Sequence, residues 1–262
     1  SSVEEQNEWM AKSGDPAYQS YLYSISTKSS NPAIHDRFGG MLLRNCGYVD
    51  TIRYLQSVRM FIKRTGFLLE DRFNDDQLEI SENAVRYQGY EASAIIFCQG
   101  MEGNKWFEWV PVLPLKGETI RIQSDHSENI IINRGVYAVP VNQTGSWRVG
   151  ATYSVTDKSE GITDQAKTEL TVKLNDLLRF PYTVVDQEWG IRPTTHDRKP
   201  VLGRDPEHQS LDILNGMGPK GVSLAPYFSE ILVHYIENHK SLNKDVDIER
   251  YKLLYWSPST RI

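Results

Sequence analysis

Six residues, Gly216-Met217-Gly218-Pro219-Lys220-Gly221, constrain the fold more than any other stretch, because they set three glycines in the spacing G-x-G-x-x-G. Apolar Ile213-Leu214 leads in, and Val222-Ser223-Leu224-Ala225-Pro226 leads out. The pattern predicts a strand, a tight turn and then a helix whose first N–H groups and dipole favour negative charge. A dinucleotide fingerprint would continue into a second strand with an acidic residue about 20 positions on. Here the chain runs instead into polar Asn238-His239-Lys240-Ser241-Leu242-Asn243 and then Tyr255-Trp256-Ser257-Pro258. The loop is therefore expected to meet a cofactor away from its pyrophosphate.

With 262 residues, 39% apolar and 24% charged, the chain has ample material for a globular core. Its net charge of -5 lacks the basic excess of nucleic-acid binders, so no nucleic-acid partner is favoured. Cys46 and Cys98 are too few for a disulfide scaffold and have no metal-ligand spacing. They read as buried, small apolar residues in a reducing, cytoplasmic setting. No window approaches the roughly 20 apolar residues of a membrane span. The histidines show no ligand spacing, and no metal is indicated. Asn142-Gln143-Thr144 matches a glycosylation acceptor but reads as a hairpin turn.

Along the chain, Glu4 to Lys12 and Ala17 to Ile25 read as short helices broken at Gly14-Asp15-Pro16. Asp50 reads as the cap of a helix bearing Leu55, Val58, Phe61 and Ile62 and ending at Gly66, with Phe67-Leu68-Leu69 as a strand. Ala92 to Cys98 reads as a strand buried on both faces at the centre of a parallel sheet. Period-two alternation then takes over at Ile120 and Ile122, at Tyr137, Val139 and Val141, and at Trp147, Val149, Ala151 and Tyr153. With turns at Asn133-Arg134-Gly135 and Thr144-Gly145, it predicts antiparallel strands. A helix capped by Thr163 follows, with Ala166, Leu170, Leu174, Leu177 and Leu178 on one face. The last helix starts near Ser223, aligns Leu224, Phe228, Ile231, Leu232, Tyr235 and Ile236, and places Pro226 in its first turn.

The glycine loop is preceded by Trp189-Gly190-Ile191-Arg192-Pro193-Thr194-Thr195-His196-Asp197-Arg198-Lys199-Pro200-Val201-Leu202-Gly203. Earlier come Gly47-Tyr48-Val49-Asp50, Ala94-Ile95-Ile96-Phe97-Cys98-Gln99-Gly100, Pro114-Leu115-Lys116-Gly117, and Tyr137-Ala138-Val139-Pro140 leading to Val149-Gly150-Ala151-Thr152. In this order the motifs resemble the FAD-dependent amino-acid oxidases and dehydrogenases of the glycine oxidase and D-amino-acid oxidase type. The resemblance covers nearly the whole chain but lacks that family's N-terminal G-x-G-x-x-G, so the chain reads as a fragment.

The resemblance implies an α/β, mixed α+β fold: an incomplete FAD-binding, Rossmann-like lobe plus an antiparallel-sheet substrate lobe. The first takes in residues 49–100 and 188–262 and the second 101–187, with 1–48 a helical connecting segment. It also implies non-covalent FAD, a small amine or amino-acid substrate, and hydride transfer to the flavin N5 followed by hydrolysis of the imine. A homo-oligomer is compatible with it.

Arg192 matches the arginine that binds the substrate carboxylate, where a guanidinium donates two parallel hydrogen bonds. Tyr137 matches the tyrosine over the substrate; the alternative is a core tyrosine. Gly100, Met217, Gly218, Lys220, Gly221, Val222 and Ser223 match the cofactor-facing positions, with the loop toward the pyrimidine edge, where reduction develops negative charge. No side chain is assigned a catalytic acid or base. Pro219 stands where glycine oxidase has a second, arginine contact, which leaves the substrate open. His196, Asp197 and Ser223 lack the nucleophile elbow of a hydrolytic triad. Two alternatives remain: an oxidase of a modified tRNA wobble-uridine side chain, and a catalytically silent binding lobe.

Overall fold

A computed structural model describes residues 2–82, 84–103, 105–141 and 144–255. The hairpin turn expected at Asn142-Gln143 and the tail Trp256-Ser257-Pro258 lie outside them. Helix α1 spans Val3–Ser13 and α2 Pro16–Gln19, followed by strands β1 (Leu22–Ser26) and β2 (Gly40–Leu43) and helix α3 (Thr51–Thr65). Short strands β3 (Glu79–Ile80), β4 (Val85–Tyr87), β5 (Tyr90–Ala92) and β6 (Ile95–Phe97) come next. Then follow β7 (Val112–Gln123), β8 (Ile132–Arg134), β9 (Val136–Pro140), β10 (Ser146–Gly150) and helix α4 (Asp164–Asn175). Strands β11 (Thr183–Thr195), β12 (Val201–Arg204) and β13 (Leu211–Asn215) lead to α5 (Gly221–Asn238) and α6 (Lys252–Tyr255). The architecture is mixed α/β with largely antiparallel sheets.

The chain divides into two units. One comprises residues 1–50, 117–153 and 159–190, and the other 51–116, 154–158 and 191–262. The first is built on a five-stranded sheet in the order β11-β7-β10-β9-β8. Helix α4 packs on β9 and β10 and buries Leu170 and Leu174 against Ile120, Ile122, Trp147 and Val149. Each such leucine contributes about 1.5–3 kcal/mol of apolar burial. Thr163 caps α4 by accepting the Ala166 N–H at 3.2 Å. The same Thr163 donates its hydroxyl to buried Glu118 at 2.8 Å, which also accepts from Gln187 at 2.7 Å. A carboxylate inside the unit is thereby satisfied.

The second unit carries the three-stranded sheet β12-β13-β6 and the β3-β4-β5 meander. Its larger core joins Phe97, Phe107, Trp109, Val201, Leu211 and Ile213; a smaller one joins Leu202, Leu232 and Val246. Lys116 is buried and reaches Asp157 at 2.8 Å.

Several local expectations differ from what forms. Leu22–Ser26 is a strand, since pairing with Gly40–Leu43 overrides its helical pattern. Phe67-Leu68-Leu69 forms no strand, and Phe67 is exposed. The run at Ala92 to Cys98 is not one strand: Ala92 ends β5, and Ile95–Phe97 pairs parallel with β13 but as the sheet's edge, with Ile96 exposed. Cys46 and Cys98 are exposed rather than buried. On β9 the buried positions are Val136, Ala138 and Pro140, so Tyr137 and Val139 face away from α4. Helix α5 begins two residues earlier than expected, and Pro226 stands inside it instead of in the first turn.

Candidate flavin and substrate site

The expected cofactor-facing residues cluster in the second unit around the end of β13. Asn215 closes that strand and donates its side-chain N–H to the Gly100 carbonyl at 2.8 Å, tying the exit of β6 to the entrance of the glycine loop. Its amide oxygen accepts the Gly216 N–H, also at 2.8 Å. Gly216 takes a φ of 73°, and an added Cβ would stand 2.7 Å from the Thr195 methyl. The loop can follow this path only without a side chain there.

Met217 then forms an antiparallel bridge with Thr194 of β11, and a Cβ on Gly218 would lie 3.1 Å from Thr194 Oγ1. Residues 218–220 make a single 3-10 turn, with the Lys220 N–H on the Met217 carbonyl at 3.3 Å. Helix α5 follows without a side-chain cap: Lys220 provides none, and the Ser223 hydroxyl donates to the Lys220 carbonyl instead. A long helix thus begins with N–H groups available to an acceptor-rich ligand. Lys220, Val222 and Ser223 are exposed; Met217, Gly218 and Gly221 are half-buried.

Arg192 is half-buried and lies two residues before Thr194 on the same extended strand. Residues i and i+2 share a face and are roughly 6.6 Å apart along a strand. The Thr194–Met217 bridge therefore sets the strand of Arg192 directly beside the glycine loop.

Tyr137 belongs to the first unit, half-buried on β9 opposite Gly150 of β10. A Cβ at position 150 would come within 2.6 Å of the Tyr137 hydroxyl and 2.7 Å of the Thr119 methyl, so the phenol occupies the space that Gly150 leaves. On the same face, Arg148 is paired through both guanidinium nitrogens with Glu188.

The sequence reading missed Asn215, Thr194 and the supporting role of Asp197. Asp197 accepts from the Thr195 hydroxyl at 2.8 Å, the Lys199 N–H at 3.1 Å and Arg250 Nε at 3.1 Å. Burial pushes its carboxyl up, but these hydrogen bonds and the Arg250 charge outweigh that and hold it below the usual aspartate value. It anchors the turn between β11 and β12. Asparagine directly before G-x-G was the available signal for Asn215, because a side-chain amide can brace the turn that follows it.

The family profile described as FAD dependent oxidoreductase matches residues 2–235. Glycine oxidase of Bacillus subtilis (strain 168) is 29% identical over 169 residues, covering 59% of this chain and 43% of that protein. Glycine oxidase of Bacillus licheniformis is 28% identical over 154 residues, covering 56% and 42%. The matches span less than half the length of these relatives. Among solved structures, iminodiacetate oxidase (IdaA) from Chelativorans sp. BNC1 aligns with a TM-score of 0.66 at 17% identity, over 95% of this chain and 72% of that one. Fructosamine oxidase (Amadoriase II) from Aspergillus fumigatus aligns at 0.67 and 14% identity, over 90% and 64%. At such identities the two structures establish the fold. No helix among the described residues is long and apolar enough to cross a membrane.

Proposed function

The chain belongs to the FAD dependent oxidoreductase family, and on that premise we propose that it is the part of a flavoenzyme that holds an amino acid or related amine and faces the flavin ring. The observation that carries the reading is the Thr194–Met217 bridge, which puts the strand of Arg192 against the loop heading α5. The relatives' names support an amine substrate, since glycine oxidase and iminodiacetate oxidase both take amines bearing carboxylates.

The residues present suit the cofactor. Gly218 lets the loop pass close against Thr194, and the helix start that follows has no side-chain cap, which fits a planar edge rich in acceptors. Gly100, Met217, Gly218, Lys220, Gly221, Val222 and Ser223 would hold FAD there without a covalent bond. When bound, the flavin supplies a two-electron acceptor for oxidation of the C–N bond. The helix dipole of α5 and the Lys220 ammonium favour negative charge at that edge, and so the reduced form.

Arg192 would orient the substrate through its carboxylate, fixing both distance and angle. Tyr137 would add an apolar ring and one hydroxyl donor. No acid or base is required of the chain if the amine binds neutral. In this reading residues 49–100 and 188–262 serve the flavin and 101–187 the substrate, in a cytoplasmic protein.

Steady-state kinetics of Arg192→Ala in the full-length protein test the proposal. KM for a carboxylate-bearing amine should rise roughly a hundredfold, in line with loss of a bidentate charged contact. FAD affinity, read from quenching of flavin fluorescence, should stay nearly constant. An unchanged KM removes Arg192 from the substrate site.

A further inference from the structure

A groove of about 570 Å³ opens on the second unit between α5, the turn before β12 and the loop after α5. The helix wall is apolar, with Leu224, Phe228 and Ile231 recurring at helical spacing; Pro200 and Val246 close the far side. The rim is cationic. Arg198, Lys199 and Lys240 line it together with His234, against one lining carboxylate, Asp245. Asp245 is engaged by Lys199 at 3.1 Å. Among the described residues neither Arg198 nor Lys240 has an ion-pair partner. In a chain of net charge -5, positive charge is thus concentrated over an apolar floor.

The backbone of the turn that carries Arg198 and Lys199 is tied down. Asp197 ties it to Thr195, to the Lys199 backbone and to Arg250, while the Arg198 N–H reaches the Thr195 carbonyl at 3.0 Å. Arg198 itself stands at φ 58°, a left-handed conformation that a residue with a Cβ keeps only where its surroundings hold it. A backbone held in advance leaves only the Arg198 side chain to be ordered on binding.

Size, apolar lining and a few converging polar groups are the properties of a small-molecule site, whose volumes run from about 300 to 1,000 Å³. We propose that this groove binds a free amphipathic monocarboxylate, its hydrocarbon body on Leu224, Phe228 and Ile231 and its carboxylate between Arg198 and Lys240. The guanidinium fits a carboxylate through two parallel hydrogen bonds, and the ammonium adds a point charge. The site uses none of the residues assigned to flavin or substrate, so it stands or falls separately from the flavin reading.

Calorimetric titration of the full chain with decanoate, with decan-1-ol as the uncharged control, tests it. Decanoate should bind saturably at one site, and R198E/K240E should weaken it by roughly tenfold or more while decanol binding hardly moves. Both side chains are on the surface; should charge reversal disturb folding, R198A/K240A is expected to give a smaller loss of the same sign. Absence of saturable binding, equal binding of decanol, or an affinity unchanged in the variants overturns the proposal. Binding confined to phosphatidylglycerol vesicles overturns it too, and assigns the patch to a lipid surface.

Discussion

Helices α3 and α5 carry comparable apolar stripes and meet different fates. In α3, Leu55, Val58 and Phe61 recur at helical spacing, yet none of its 15 residues is buried. In α5, Leu232 is sealed against Leu202 and Val246, with Phe228, Ile231, Tyr235 and Ile236 packed around it. An isolated helix of this length is marginal in water, and most helical stability in proteins comes from packing. Amphipathic spacing thus specifies which face will seek cover, while the cover itself comes from residues distant in sequence. For α5 these are β12 and the stretch around Val246.

Truncation of side chains gives the largest contrast. Leu232→Ala should destabilise the protein by about 2–5 kcal/mol, because it opens a cavity in a fully packed cluster. Phe61→Ala, at a position 60% exposed, should stay within about 0.5 kcal/mol in urea unfolding. A large loss at Phe61 would show that α3 is packed in solution, and the comparison would fail.

Glycines at the two helices sharpen it. Gly66 ends α3 at φ 82° with open space around it, and Gly216 leads toward α5 at φ 73° against the Thr195 methyl. Gly66→Ala should cost about 1 kcal/mol from backbone strain alone. Gly216→Ala should cost more, since the strain is joined by a 2.7 Å clash. Equal melting temperatures for the two variants would mean that the loop before α5 yields as freely as the end of α3.

The smallest effect concerns pH. Asp197, in the turn beside α5, has its folded pKa depressed, so its stabilisation is present above the unfolded value and is lost as pH falls below about 4. Asp212 runs the other way: burial raises its carboxyl despite the nearby Arg204, so its share of stability declines as pH rises out of that range. Asp197→Asn should make the acid limb of the stability curve shallower, measured by urea midpoints between about pH 2 and pH 6. A steeper acid limb in the variant would contradict the assignment.

Much of this was legible in the residues. Thr163 ahead of an apolar 3.6-residue period announces α4, and the Ile-Leu run before Gly216 announces the strand, turn and helix that hold the proposed flavin edge. The motif order through Arg192 and the glycine loop led to the family. Tyr137 shows the limit. Alternation identified its strand, but which face was buried depended on α4 docking on the side of Val136 and Ala138. At Leu22–Ser26 local preference favoured a helix, and pairing with Gly40–Leu43 reversed it.

The linear order of side chains therefore determined the capped helix α4, the alternating strands around it and the turn at Gly216, because propensity, capping and periodicity act over a few neighbouring residues. Tertiary structure alone decided that Asn215 would reach Gly100, that Thr194 would bridge Met217, and that Arg198 would overlook a groove beside α5. Those contacts join residues far apart in the chain. Their energies exist only once distant backbone segments have been brought within hydrogen-bonding or van der Waals reach, and no local pattern encodes that distance.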